Sequence, residues 1–312
     1  MLFRSHAGRS GSTKTTGWLV TLGTMELQVF SPSSVEDHTF CPRYWQLKRS
    51  WTPRYVSYSE VSAAIGTAFA AGAADYNKAR QHGATRTETE LMAVAYGSYD
   101  QIRLSWSVNN RRLDSEAEKL ADRVAVLLRA GLKQLLLHDP FSGFTILKVE
   151  ETIPNAGNAR PDILLADSLG PLVADYKCKM NLREQWVSNT LDRYEYSGQM
   201  YHYCHFEGCD RYLIALVVLA PKPMIRVRSF AIDPNYKQIW ERDSIIAWNF
   251  LQLDTEDLRT GKASWLRGRT TQHEKFGKPC EYSRACLQYG LNEDMMRLDY
   301  SPKEETPWAT PK

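Results

Sequence analysis

Arg160-Pro161-Asp162-Ile163, followed downstream by Asp175-Tyr176-Lys177, brings two carboxylates and an ammonium into one short apolar stretch, ARPDILLADSLGPLVADYKCK. Ile163 to Ala166 and Leu172 to Ala174 are β-type runs, and Asp167-Ser168-Leu169-Gly170-Pro171 is turn chemistry, so a hairpin is expected. Side chains alternate faces along a strand, so Asp175 and Lys177 point one way and Tyr176 the other. Two carboxylates can hold a divalent cation, which polarises a phosphoryl group and lowers the pKa of a bound water; a lysine can position or help deprotonate that water. That combination is the chemistry of metal-dependent phosphodiester hydrolysis. A plain surface hairpin carrying Asp and Lys is the competing explanation, and three further segments bear on the choice.

Residues 183 to 207 lack Pro, contain a single Gly and are long enough for a helix. Within them Tyr196, Gln199 and Tyr203 are spaced i, i+3, i+7 and would share one helical face. Packing alone can place aromatic residues on such a face, but the order strand, strand, helix favours a site. Near the start, Ser31-Pro32-Ser33-Ser34-Val35 with Glu36 signals a helix N-terminus, and Phe40-Cys41-Pro42-Arg43-Tyr44-Trp45 follows. Near the end, His273 precedes Cys280 and Cys286. Cys41, His273, Cys280 and Cys286 have the donor types of a Cys3His zinc site, or of an iron–sulfur site in which histidine replaces one cysteine. Buried thiols in a reduced protein are the bland alternative. Cys178, Cys204 and Cys209 are expected to be ordinary core or surface thiols.

The Pro161-Asp162 pair, the spacer and Asp175-Tyr176-Lys177 resemble the signature of the PD-(D/E)XK nuclease superfamily. Gln199-Met200-Tyr201-His202-Tyr203 matches the Gln-x-x-x-Tyr signature of its RecB-like branch. "SPSS…CPRYW" and the C-terminal cysteine loop are similar to members with an iron–sulfur module: AddB-type recombination nucleases, CRISPR-associated single-strand exonucleases and related phage exonucleases. The resemblance covers roughly residues 26 to 290. It implies Mg²⁺ or Mn²⁺ held by Asp162, Asp175 and the Tyr176 carbonyl, with Lys177 orienting water and Gln199 and Tyr203 steadying the lysine or the phosphate. It also implies a [4Fe–4S] cluster, or alternatively zinc, on Cys41, Cys280, Cys286 and His273. Desolvation beside the metal is expected to lower the Lys177 pKa. The substrate implied is DNA, single-stranded or at ends, with exonuclease action in recombination, repair or CRISPR adaptation and with the proteins of those pathways as partners. One departure stands out. Where family members carry a metal-binding histidine on the first long helix, this chain reads Gly66-Thr67-Ala68-Phe69-Ala70, and Ala70 occupies the histidine position. Either the site works with fewer protein ligands, or the chain is a weakened pseudonuclease that grips DNA ends within a larger complex.

At 312 residues, with 43% hydrophobic and 24% charged content, the chain has the composition of an ordinary soluble globular protein. The longest apolar run, Tyr212 to Ala220, is too short to span a membrane, no secretion signal is evident, and the cysteine usage fits a reducing, cytoplasmic setting. The net charge of +3 is carried by Arg4, Arg9 and Lys14 in an acid-free stretch over 1–24, so nucleic-acid affinity must come from local patches. Lys177, Lys179 and Arg183 form one candidate patch; Arg43, Lys48, Arg49 and Arg54 form another, and Arg267 and Arg269 a third. Nine Trp and 16 Tyr add aromatic surface suited to single strands. The expected organisation is a disordered basic tail over 1–24, a nuclease domain over 25–300 and a flexible tail over 301–312. Inside the domain, a helical insertion spans 59–140, the core 141–258 and a cysteine module 259–290. Strands are expected near 26–30, 144–152, 161–167, 171–178, 211–219 and 225–232, and helices near 60–80, 87–107, 114–138, 183–207 and 233–258. The fold class is α/β: a restriction-endonuclease-like core, with a mixed central sheet flanked by helices, carrying the helical insertion and a C-terminal cysteine loop.

Overall fold

Arg211–Leu219 reads as one uninterrupted β-type run after its first residue, and it becomes a strand hydrogen-bonded on both sides. The computed structural model describes residues 28–266, 274–275 and 278–303. In chain order, α1 (Pro32–Phe40) and α2 (Pro42–Ser50) lead through β1 (Trp51–Pro53) and β2 (Tyr55–Val56) to α3 (Tyr58–Gln81) and α4 (Glu88–Val108). After β3 (Arg112–Leu113) come α5 (Ser115–Ala121) and α6 (Val124–Leu137), then β4 (Thr145–Val149), β5 (Ile163–Asp167) and β6 (Gly170–Met180). The connection to β7 (Arg211–Leu219) carries α7 (Val187–Asp192) and α8 (Gly198–Glu207). Then follow β8 (Met224–Ala231), α9 (Pro234–Arg259), β9 (Glu274–Lys275), β10 (Lys278–Pro279), α10 (Ser283–Leu287), α11 (Glu293–Met296) and β11 (Tyr300–Pro302).

The main sheet has five strands in the order β4-β5-β6-β7-β8. Only β6 and β7 run parallel; the other neighbours are antiparallel. Alternation along β7 divides the core. Leu213, Ala215, Val217 and Leu219 pack under α3, α4 and α6, while Tyr212, Ile214, Leu216 and Val218 pack with residues of α7 and α8. Each fully buried aliphatic side chain here contributes roughly 1.5–3 kcal/mol relative to exposure. The fold is therefore mixed α/β, a mixed sheet flanked by helices. α3 is started by a capping box, Ser57 with Glu60, and Glu60 is further held by Arg111 at 2.8 Å. α6 lies so close to β7 that a Cβ at Gly131 would stand 2.3 Å from Leu219 Cδ2, which is why glycine sits there.

A third cluster joins the chain ends. Cys41, Tyr44, Leu47 and Trp51 pack with Cys280, Tyr282, Ala285, Met296 and Tyr300, and β1 pairs with β11 beside them. No described helix is long and apolar enough to cross a membrane.

Three expected elements differ. The helix expected over 114–138 is two helices, interrupted at Asp122-Arg123. The 183–207 helix is interrupted at 193–197, so Tyr196 lies in a turn and not on the face of α8; its ring packs on Tyr236 at 4.7 Å instead. Of the strand expected over 26–30, residues 28–30 are irregular, and the Gln28 amide bonds the Gln252 side chain at 3.0 Å; the rest lies outside the described residues.

Candidate active site

β6 spans eleven residues, whereas β5 spans five, and their pairing ends at Ile163 opposite Ala174. Beyond that point the β5 edge of β6 is uncovered, and Asp162 fills the gap: its Oδ2 accepts the Tyr176 amide at 2.7 Å. A strand residue presents its N–H and C=O to the same neighbour. The Tyr176 carbonyl therefore faces the edge where Asp162 sits.

Asp175 and Lys177 project from the opposite face to Tyr176, as alternation requires. Lys177 Nζ lies 2.7 Å from Asp175 Oδ2 and donates to Gln199 Oε1 at 2.7 Å; Gln199 Nε2 donates to the Tyr203 hydroxyl at 2.8 Å. Gln199 and Tyr203 reach the lysine because they share one face of α8, one turn apart. Asp162, Asp175, Lys177, Gln199 and Tyr203 thus form one contiguous polar group. Asp175 is 3% exposed, and its Oδ2, though paired in charge with Lys177, accepts no well-aligned hydrogen bond.

Burial pushes the Asp162 carboxyl well above the usual range; the Asp175 charge adds to this and the Tyr176 amide and Lys177 oppose it. Burial works against the Lys177 ammonium, but Asp175 and Asp162 outweigh it and raise the lysine pKa. The expected lowering by desolvation is therefore not found without a cation, because two carboxylates sit beside one ammonium. Burial also raises the Tyr203 phenol, with Gln199 opposing.

On the other face, Tyr176 is fixed by Asn77, fully buried, whose Nδ2 donates to the Tyr176 hydroxyl at 3.2 Å. The Phe69 and Phe141 rings lie 5.9 and 5.3 Å from its ring. Gly66 of α3 approaches Cys178: a Cβ built there would be 3.4 Å from Cys178 Cβ. Ala70 lies one turn along that helix face and is half-buried.

Asn77, Tyr194 and Glu150 were not singled out from the sequence. Tyr194 interacts with the charges of Lys177 and Asp175, and Glu150 adds to the upward push on Asp162. The only trace of Glu150 in the sequence is its place just before the Pro-Asp hairpin.

The donor set fits a hard divalent cation. Asp162 and the Tyr176 carbonyl lie at an uncovered strand edge, the Asp175 charge acts on Asp162, and one buried oxygen of Asp175 lacks a hydrogen bond. Magnesium binds through one or two carboxylates and otherwise through water, so this set suffices. Among the described residues no three His, Cys, Asp or Glu side chains form a metal cage.

Cys41, Cys280 and Cys286 are among the described residues. Cys41 and Cys280 are buried and Cys286 half-buried, all in one cluster and all free thiols. Burial, and then the neighbouring Cys286, Glu281 and Cys41, push the Cys280 thiol up to about 11, with the Tyr282 amide opposing. Cys286 is also raised by burial, with Arg43 opposing. His273 lies outside the described residues. Cys204 and Cys209 are buried core thiols, and Cys178 packs against the α3 side of the sheet.

No protein-family model and no curated protein matches the chain. Among solved structures that match, one is described as a "putative exonuclease" from Eubacterium rectale. It is 15% identical, with a TM-score of 0.34, over 82% of this chain and 88% of that one. A likeness at that level carries no argument for fold or function.

Proposed function

We propose that this chain is a metal-dependent deoxyribonuclease of the RecB-like PD-(D/E)XK kind. The observation that carries the proposal is the continuous row Asp175–Lys177–Gln199–Tyr203, set beside Asp162 at an uncovered strand edge. Asp162, Asp175 and the Tyr176 carbonyl would hold Mg²⁺ or Mn²⁺. Such an ion supplies Lewis-acid polarisation of the phosphoryl oxygen and a water of lowered pKa. Lys177, held by Gln199, aims its remaining N–H bonds at the attacked phosphate and offsets the charge that develops there. Tyr203 fixes Gln199 and so fixes the lysine. A single-stranded or end-bearing DNA substrate, exonuclease action, a cytoplasmic setting and partners in recombination or CRISPR adaptation are the finer parts of the proposal and rest on the resemblance.

A [4Fe–4S] cluster, or zinc, on Cys41, Cys280 and Cys286 with His273 as fourth ligand is part of the same proposal. Its support is that Cys41, from near one end of the chain, and Cys280 and Cys286, from near the other, belong to one packed cluster. Ala70 supports a second version, a pseudonuclease that binds DNA ends without cutting.

Incubation of end-labelled linear strands and internally labelled circular single strands with Mn²⁺ tests the proposal. The chain should degrade DNA, and Asp162→Asn should reduce the rate at least about a hundredfold while binding persists. Binding without degradation would select the pseudonuclease version. Undiminished degradation by Asp162→Asn would remove the site assignment.

A further inference from the structure

Segment 181–197 leaves the end of β6 and returns beside the site at Tyr194, whose phenol interacts with the charges of Lys177 and Asp175. Between these points lies Trp186, 51% exposed, closing the 3-10 turn Glu184–Trp186. An indole is the largest apolar side chain, and half of this one is open to a partner with a flat apolar face.

The charges around it are sorted by sign. Of the segment's three acids, Glu184 pairs with Arg226 at 3.5 Å and Asp192 pairs with Arg228, so two are tied to β8; Glu195 remains. Lys179, Arg183 and Arg193 are exposed and have no ion pair among the described residues. Lys179 shares the face of Asp175 and Lys177 and lies about 6.6 Å beyond Lys177 along the strand. Lys222, also exposed, lies in the β7–β8 turn at the same end of the sheet, where the Asn181 amide bonds the Leu219 carbonyl at 3.1 Å.

We propose that Trp186 is a base-stacking platform for single-stranded DNA, with Lys179, Arg183 and Arg193 binding the phosphates on either side of the stacked base. The inference rests on the nuclease proposal above and names what feeds its site. Bases of a duplex have their faces covered by their neighbours, so an exposed indole on the segment that leads to Tyr194 can engage only an unpaired, unstacked base. Stacking tolerates any base, while the cations follow the backbone. An unpaired strand held in this way runs along the Lys179–Lys177–Asp175 face of β6 toward the carboxylates.

The test is the affinity of fluorescein-labelled oligo-dT, by anisotropy without divalent cation, set beside a strand of the same length carrying abasic sites. Trp186→Ala should weaken oligo-dT binding about tenfold, the size of one lost stack, while Trp186→Phe keeps most of the affinity. On the abasic strand, wild type and Trp186→Ala should bind alike, because there is no base to stack. Trp186 contributes little to the core, so these variants fold. An equal loss on both strands, no loss on oligo-dT, or no binding of oligo-dT by the unaltered chain overturns the platform. Binding is read without cleavage. Trp186-dependent binding with no cutting in Mn²⁺ would therefore keep the platform and remove the nuclease proposal, and cutting with Trp186-independent binding would do the reverse.

Discussion

Lys177→Met keeps the stem of the side chain and removes its charge. The ammonium lies 2.7 Å from Asp175, and the two side chains are 21% and 5% exposed, so this is a buried pair and not a surface one. Breaking a buried pair from one side costs about 3–5 kcal/mol, against 0–1 for an exposed pair. Asp162 supplies the pH dependence. Burial and then the Asp175 charge raise its pKa, and Lys177 is among the groups that oppose the rise, so removing the ammonium should raise it further. The sign follows from linkage: a carboxyl whose folded pKa is raised binds more protons folded than unfolded, so stability falls as pH rises between the two values, and the variant should fall more steeply than wild type. Urea unfolding at the two pH values should show a deficit of about 3 kcal/mol or more near pH 7.5 that shrinks toward pH 5.5. Millimolar Mn²⁺ should narrow it near neutrality, since a cation replaces the lost charge. A variant as stable as wild type near pH 7.5, or a deficit unchanged by pH, would show that water and not Lys177 compensates Asp175.

Ala70→His should tighten Mn²⁺ binding by about tenfold in calorimetry, because a neutral imidazole adds a ligand without adding charge; an unchanged affinity in a folded variant would mean that position 70 does not reach the ion. Cys280→Ser should release any bound iron or zinc and speed proteolysis at both chain ends together, since ligands so distant in sequence couple metal binding to folding. Elemental analysis of wild type finding neither metal would remove the cluster proposal.

What could be read from the sequence is what obeys a local period. Asp175 and Lys177 share a face because strands alternate, and Gln199 and Tyr203 share one because helices turn in 3.6 residues. Locally the interruption before Gln199 is signalled only by Ser197, at the N-cap of α8, and Gly198, which opens it. The cause is tertiary: the Tyr212 hydroxyl of β7 lies 2.6 and 2.7 Å from the Tyr194 and Glu195 carbonyls, shared between them. Those are the carbonyls that a continuous helix would give to the amides of Gly198 and Gln199. The contribution of Asn77 was hidden for a similar reason, since it acts through Tyr176, far away in sequence.

The position of the site follows from a mismatch in strand length. β6 continues past β5 by about six residues, from Asp175 to Met180. It is kept straight there by parallel pairing with β7 up to Met180 opposite Leu219. An uncovered edge normally exposes unpaired amides and carbonyls, which invite other strands. Here the first exposed amide, Tyr176, is closed by the Asp162 carboxylate, and the carbonyl beside it is left facing the same edge. A β5 longer by two residues would pair with Tyr176 and displace Asp162. The parallel pairing matters as much, because parallel strands need a crossover, and this crossover holds both Trp186 and the Gln199 helix. One feature of the sheet, a long strand joined in parallel to its successor, thus sets the acids, aims the lysine and puts the exposed indole on the segment that returns to them.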